Sequence, residues 1–121
     1  MAEHNDLGNV GEERAQAYLS SKGYKILHTN WVVGKLELDI VAEKDGWLVV
    51  VEVKTRSTET FEHPEEAITI RKIRNIVNAT HEYIMQFDWK GETRFDVMSV
   101  VPHGQDFLIE HIEDAFLSPG K

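Results

Sequence analysis

Two short runs, Glu37-Leu38-Asp39 and Glu52-Val53-Lys54, combine carboxylates with a lysine at strand-like spacing. Carboxylate oxygens are ligands that Mg²⁺ and Mn²⁺ prefer. Such an ion can activate a water molecule and neutralise the charge that develops on a phosphate. A lysine ammonium beside the ion could orient the attacking water or stabilise that charge. These residue types therefore predict a divalent-metal site formed by Asp39 and Glu52, with Lys54 next to it.

The two runs are joined by Asp45-Gly46 between alternating apolar residues, a strong signal for a β-hairpin with a tight turn. The expected register pairs Lys44 with Trp47, Ala42 with Val49, Ile40 with Val51, Leu38 with Val53, and, on the other face, Val41 with Val50, Asp39 with Glu52 and Glu37 with Lys54. Carboxylates directly opposite each other destabilise a sheet, and a divalent cation would compensate. Taken alone, the pattern fits a solvated polar strand face with a Glu37–Lys54 ion pair better than a metal site.

The composition of the 121 residues is typical of one soluble domain spanning 1–121. Without cysteine there is no disulfide or thiolate zinc site, and we expect a cytoplasmic protein without a signal peptide or membrane segment. The net charge of −8 counts against tight non-specific DNA binding. Basic residues nevertheless concentrate in mid-chain. These form either a local phosphate-binding patch or a solvated surface: Lys54, Arg56, Arg71, Lys72 and Arg74. Arg56, just beyond Lys54, could grip a phosphate with both guanidinium nitrogens.

Periodicity and turn signals predict the element order α-β-β-β-α-β-β, hence an α/β fold with a mixed sheet flanked by helices. The predicted elements are a helix over Asp6 to Lys22, a strand over Tyr24 to Val33, the hairpin over Leu36 to Val53, a loop over Ser57 to Pro64, a helix over Ile70 to Phe87, strands over Arg94 to Val101 and Phe107 to Ile112, a helical turn near Glu113 to Phe116, and a loose tail over 117–121. We expect the hairpin strands to lie inside the sheet, since both of their faces carry apolar residues.

Asp39 followed by Glu52-Val53-Lys54 resembles the core motif of the PD-(D/E)xK nuclease superfamily. More specifically, the chain is similar to the YraN-like family, related in fold to Holliday-junction resolvases with a restriction-endonuclease-like sheet. The resemblance covers most of the chain and rests on Gly8, Gly11, Glu12, Ala15, Tyr18-Leu19, Gly23-Tyr24, Ile26-Leu27, Asn30, Glu37-Leu38-Asp39-Ile40-Val41, Val51-Glu52-Val53-Lys54, Arg56, Lys72 and Arg94-Phe95-Asp96-Val97.

The resemblance implies a role for each matching position. Asp39 and Glu52 would be metal ligands, Lys54 the catalytic lysine, and Glu12 the acid that completes the metal site. Lys72 would contact a DNA phosphate. Glu37 matches the Glu of the family's Gly-Glu-Ile-Asp pattern, whose Gly is Leu36 here, and the Gly expected after Phe61 is absent. From its position alone, Glu12 near a helix N-terminus also fits a simple dipole interaction.

The function implied is Mg²⁺- or Mn²⁺-dependent hydrolysis of phosphodiester bonds in DNA, with branched or structured DNA as a candidate substrate. A homodimer is the corresponding candidate assembly, because the resolvase relatives act on two strands. The alternative is an inactive nucleic-acid-binding or protein-interaction module that retains the nuclease fold. The acidic net charge favours that alternative, and the presence of Asp39, Glu52 and Lys54 together opposes it.

Overall fold

The computed structural model describes residues 3–56 and 68–116, with side chains from residue 8 onward. Within these ranges the elements are α1 (Glu3–Ser21), β1 (Lys25–Val33), β2 (Leu36–Lys44), β3 (Trp47–Thr55), α2 (Ile70–Phe87), β4 (Glu92–His103) and β5 (Asp106–Ile112). The predicted order of elements is confirmed. The predicted loop over Ser57 to Pro64 and the predicted tail lie outside the described residues. Residues 113–114 form a turn where a longer helical turn was predicted.

The strands form one mixed sheet in the order β1-β2-β3-β4-β5. Neighbouring strands are antiparallel except β3 and β4, which are parallel and connected through α2. Parallel neighbours need such a crossover, since a tight turn can join only antiparallel strands. The hairpin strands β2 and β3 lie inside the sheet, as their apolar faces predicted.

Three local signals determine where elements start and stop. Asp45 and Gly46 both have positive φ, 53° and 83°, which is the geometry of the two-residue hairpin turn that Asp-Gly predicts. Gly23, with φ of 92°, ends the first helix in a left-handed turn. Thr69 caps α2, its hydroxyl accepting the backbone N–H of Lys72 at 3.1 Å. The predicted bounds of this helix, Ile70 to Phe87, are confirmed.

Each helix covers one face of the sheet. The core beneath α1 contains Ala15, Leu19, Tyr24, Ile40, Ala42, Val49, Val51, Met98 and Val100. The core beneath α2 contains Leu38, Val41, Leu48, Val50, Ile76, Ala79, Tyr83 and Phe95. On α1, Gly11, Ala15 and Leu19 occupy the contact face, and Val10 beside it is 38% exposed. Within the described residues, neither helix is apolar enough over its length to cross a membrane.

Asp96, which is fully buried on β4, connects this strand to β5 and to the turn that follows β5. Its carboxylate accepts hydrogen bonds from the Arg94 guanidinium at 2.8 and 2.9 Å and from the backbone N–H of Asp114 at 2.9 Å, and it pairs with His111 Nε2 at 2.7 Å. Burial by itself would raise the pKa of Asp96, but these partners outweigh it and hold the pKa below its usual value. This arrangement gives Asp96 a structural role.

Candidate metal and nucleic-acid site

The backbone ladder of the hairpin opens where the predicted site begins. The β2–β3 pairs run from Lys44–Trp47 to Ile40–Val51 and end there. The predicted pairs beyond that point, Asp39–Glu52, Leu38–Val53 and Glu37–Lys54, were therefore wrong as backbone pairs. Instead, Asp39 Oδ2 accepts the backbone N–H of Val53 at 2.9 Å. A side-chain carboxylate thus satisfies a donor that the ladder leaves unpaired, and the two strands separate around it.

The carboxyl groups of Asp39 and Glu52 nevertheless lie close enough to interact. Glu52 is only 7% exposed. Burial, reinforced by the neighbouring Asp39, raises the pKa of Glu52 to about 7, although Lys72 acts in the opposite direction. The fold therefore holds a carboxyl group whose ionised form needs positive charge close by.

Lys72 supplies part of that charge. It lies in the first turn of α2, and its Nζ is 3.3 Å from Glu52 Oε2. The helix places it there because the Thr69 cap fixes the first turn, while Ile76, one turn further on, is buried in the core. The resemblance assigned Lys72 to a DNA phosphate, whereas the structure shows it in contact with a proposed metal ligand.

Glu12 approaches the same carboxyl pair from α1. Its Oε1 is buried and has no hydrogen-bond partner among the described residues. Burial, followed in effect by the charge of Asp39, raises the pKa of Glu12, although the neighbouring Asn30 side chain acts in the opposite direction. A buried carboxylate oxygen without a donor is energetically unfavourable unless a cation or another donor reaches it.

Asn30 is a site residue whose role sequence reasoning missed. It lies inside β1 with a left-handed φ of 51°, between Thr29, opposite Ile40, and Trp31, opposite Leu38. Asn adopts this conformation more readily than most residues, whereas the strand around it is largely apolar, β-branched and aromatic. The presence of an Asn within such a strand was the available signal in the sequence. In the family resemblance, Asn30 counted only as one of the matching positions.

Gly11 explains how α1 comes close enough to bring Glu12 to the site. A Cβ at position 11 would overlap Thr55 Oγ1 and lie 2.9 Å from Thr55 Cγ2 at the end of β3. Only a residue without a side chain allows this contact between helix and strand. Glu12, the next residue, is consequently held beside Asp39.

The predicted basic residues lie in two places, at the end of β3 and in the first turns of α2. Lys54 is half-buried, two positions after Glu52 on β3, and therefore on the same side of the strand. Arg56 follows the strand end, half-buried, and its backbone N–H donates to Val100 O at 3.0 Å. Arg71 and Arg74 are exposed on α2. Glu37 is also exposed, opposite Val32 at the edge of the site.

The carboxyl groups of this region can be compared with the ligand set that a divalent ion requires. Across 3–56 and 68–116, no group of three or more His, Asp or Glu side chains is gathered closely enough to hold a metal as it stands. The arrangement instead offers a pair of carboxyls, Asp39 and Glu52, with the unpartnered oxygen of Glu12 near Asp39. Mg²⁺ is typically bound by one or two protein carboxylates, with water and phosphate completing its shell. The donor set therefore fits Mg²⁺ or Mn²⁺.

A separate cavity of about 500 Å³ lies at the turn end of the hairpin, away from the carboxyl pair. Its lining residues are Tyr18, Lys22, Tyr24, Lys44, Asp45, Trp47, Arg94, His111 and Glu113. Arg94 there is engaged by Asp96, by the Tyr24 hydroxyl at 2.7 Å and by Glu113 at 3.6 Å. The guanidinium group of Arg94 is thus engaged by neighbouring side chains within this cavity.

Fold and site together define an α/β protein with a half-buried carboxylate pair at the opening of a central hairpin. The family model described as "Uncharacterised protein family UPF0102" matches residues 11–100. A UPF0102 protein of Phocaeicola vulgatus is 51% identical, and one of Bacteroides thetaiotaomicron 49%, each over 98% of both chains. The UPF0102 protein FP2501 of Flavobacterium psychrophilum is 48% identical over 96% of this chain and 98% of its own.

This chain belongs to the UPF0102 family, which is the YraN-like family that the motifs predicted. The match includes the carboxylate pair, Lys54 and Lys72, and begins at Gly11.

Proposed function

We propose that this protein is a divalent-metal-dependent endonuclease that hydrolyses phosphodiester bonds in DNA. The observation that carries the proposal is the contact between the carboxyl groups of Asp39 and Glu52 at the point where the hairpin ladder opens. A merely structural polar face would leave these carboxylates solvated and apart. Here one of them is almost fully buried, and a third carboxylate on another element adjoins the pair.

Asp39 and Glu52 would hold Mg²⁺ or Mn²⁺, with Glu12 completing the site. When bound, the ion would neutralise charge on the scissile phosphate and activate the attacking water. Asp39 is already oriented by the backbone N–H of Val53, so one ligand is fixed before the metal arrives. Such preorganisation places the charge of the ligand without a reorganisation at the moment of reaction.

Lys54 lies beside the pair on the same side of β3, where its ammonium donates to the attacking water or to the phosphate oxygens. Arg56 and the α2 cations Arg71, Lys72 and Arg74 bind neighbouring phosphates of the DNA backbone. Guanidinium groups suit this task, since they contact a phosphate with two parallel N–H donors. These basic residues thus give an acidic protein a local surface that binds DNA, a polyanion.

The test is cleavage of linear duplexes and four-way junctions in Mg²⁺ or Mn²⁺ by the full chain. We expect metal-dependent cleavage that Asp39→Asn and Lys54→Ala each lower at least about 100-fold, as expected for groups that act on the reacting phosphate. Glu110→Gln and Lys90→Ala, which change exposed residues outside the site, serve as matched controls and should retain activity.

The outcomes distinguish the candidate functions. Absence of cleavage in both metals, together with metal binding that Asp39→Asn leaves unchanged, would refute the nuclease proposal. Binding of junctions without cleavage would support the alternative of an inactive nucleic-acid-binding module.

Branched DNA is the proposed substrate class, with a homodimer as the acting form. One site cleaves one strand, so symmetric resolution of a junction requires two copies of the chain. Light scattering of the protein with and without a four-way junction tests this: a complex of two chains per junction supports it. One chain per junction, with a single nick as the final product, contradicts it.

A further inference from the structure

Lys72 lies next to the carboxyl pair, where its ammonium would interact strongly with any other cation bound there. Its Nζ lies 3.3 Å from Glu52 Oε2, while its side chain is 48% exposed and that of Glu52 only 8%. The ammonium therefore covers the solvent side of a buried carboxylate. It is a cation already resident at a site whose ligands suit a divalent ion.

A divalent ion at the carboxyl pair and the Lys72 ammonium would repel each other strongly. An ion held by Glu52 would lie about 2.1 Å from a carboxylate oxygen, hence within a few ångströms of the Lys72 ammonium. Repulsion at that separation is large, and it is stronger in a partly buried setting than in water. Metal binding thus requires the ammonium to move away.

The side chain can move while the helix stays in place. The lysine stem has four flexible methylene groups, and about half of the side chain already faces solvent. The backbone of Lys72 is fixed by its hydrogen bond to the Thr69 cap, and Ile76 anchors α2 in the core. An outward rotation of the stem takes the ammonium from Glu52 toward the side from which DNA would approach.

We propose that Lys72 is a resident counterion that exchanges with the metal: it neutralises Glu52 in the metal-free protein, leaves when the divalent ion binds, and then contacts a DNA phosphate. This inference rests on the proposed function and adds to it a coupling between metal loading and substrate binding. Lys72 opposes the metal and, once released, favours the substrate, so its two effects have opposite signs.

The first test is Mn²⁺ titration of the full chain without DNA, with free Mn²⁺ followed by electron paramagnetic resonance. We expect Lys72→Met to bind Mn²⁺ at least about fivefold more tightly than the wild type, because the competing charge is gone. Lys72→Arg retains the charge and should stay within about twofold. Arg71→Met, which removes the same charge from the neighbouring exposed position, is the matched control and should also stay within about twofold.

The second test is DNA affinity by fluorescence anisotropy in a Lys54→Ala background, which suppresses cleavage. In EDTA, Lys72 is engaged with Glu52, so adding Lys72→Met should change DNA affinity by less than about twofold. With saturating Mn²⁺, the same substitution should weaken binding about three- to tenfold. A merely structural lysine would produce the same loss under both conditions.

Equal or weaker Mn²⁺ binding by Lys72→Met, with unchanged circular dichroism and melting temperature, overturns the exchange. Absence of Mn²⁺ binding by the wild type overturns both the exchange and the nuclease. Wild-type Mn²⁺ binding without DNA cleavage, combined with the expected tightening in Lys72→Met, refutes only the nuclease and supports the exchange.

Discussion

Glu52 lies in surroundings that oppose its ionised form. Burial and the adjacent Asp39 raise its pKa from 4.5 to about 7, and this value already includes the favourable contact with Lys72. Between these two pH values the folded protein binds more protons than the unfolded chain. The free energy of unfolding therefore falls as the pH rises through this range. Glu12, with a pKa raised by burial, contributes in the same direction.

We therefore predict that Glu52→Gln stabilises the metal-free protein in a pH-dependent way. At pH 8 in EDTA, the variant should be more stable than the wild type by about 1–3 kcal/mol, since each pKa unit corresponds to about 1.4 kcal/mol. Near pH 4.5 the two proteins should be equal within about 0.5 kcal/mol, because Glu52 is then largely protonated. Urea denaturation at a series of pH values measures the difference.

Glu110→Gln, at an exposed position of β5, is the control for Glu52→Gln and should show no such pH dependence. A stability difference for Glu52→Gln that stays constant from pH 5 to pH 8 would contradict the raised pKa. A buried carboxylate that reduces stability in this way is typical of functional sites.

Two glycines of helix α1 differ in how closely they approach the rest of the protein. A Cβ on Gly8 would have no neighbouring atom within 4 Å, whereas a Cβ on Gly11 would overlap Thr55 of β3. Helix propensity alone favours alanine over glycine at both positions. The contact with β3 reverses that preference at position 11 only.

We predict that Gly8→Ala stabilises the protein by about 0.5–1 kcal/mol. Gly11→Ala should destabilise it by about 1–3 kcal/mol, because α1 must move away from β3. Gly11→Ala should also weaken Mn²⁺ binding, since that movement displaces Glu12. Chemical denaturation and Mn²⁺ titration of both variants measure these effects, and Thr55→Ala combined with Gly11→Ala should recover part of the loss. Equal effects of the two single substitutions would show that the close contact is unimportant.

Sequence patterns predicted the elements because their signals are local. The Asp45-Gly46 turn fixed the hairpin register over its first half, and the Thr69 cap fixed the start of α2. The interior position of the hairpin strands followed from apolar faces that local alternation reveals. The family assignment followed from motifs spread over much of the chain.

The opening of the ladder could not be predicted in this way. Whether Asp39 accepts the Val53 N–H or leaves it to a backbone carbonyl depends on how the strands are arranged in three dimensions. The contact between Lys72 and Glu52 likewise depends on how α2 packs on the sheet. Both are tertiary outcomes that residue types and spacing leave open.

The molecule as a whole carries a net charge of −8, yet the proposed DNA-binding residues belong to only two neighbouring parts of the fold. Lys54 and Arg56 lie at the end of β3, and Arg71, Lys72 and Arg74 begin α2, whose Lys72 reaches Glu52 on that strand. We therefore expect weak long-range attraction to DNA, with an affinity that depends on these few contacts. The salt dependence of binding reports their number.

We predict that in EDTA the slope of log K against log salt concentration is no steeper than about −3.6, as expected for at most about four phosphates at about 0.9 each, because Lys72 is then engaged with Glu52. Arg74→Gln should reduce the slope by about 0.9. Arg14→Gln, at a partly exposed arginine that pairs with Asp106 at 2.8 Å, should leave it unchanged. Anisotropy titrations in EDTA from roughly 20 to 200 mM salt would measure it. A much steeper slope would show that other basic residues bind DNA.

The parallel pairing of β3 with β4, which joins Trp47 to Glu92 and Thr55 to Val100, has a consequence for biosynthesis. A chain emerging from the ribosome completes α1 and the β2–β3 hairpin well before β4 exists. During that interval the strand that carries Glu52 and Lys54 is an open edge, with unpaired backbone groups and apolar side chains. Non-local pairing of this kind forms slowly and exposes such edges to aggregation. β3 thus becomes an interior strand only late in synthesis, after α2 and then β4 have been made.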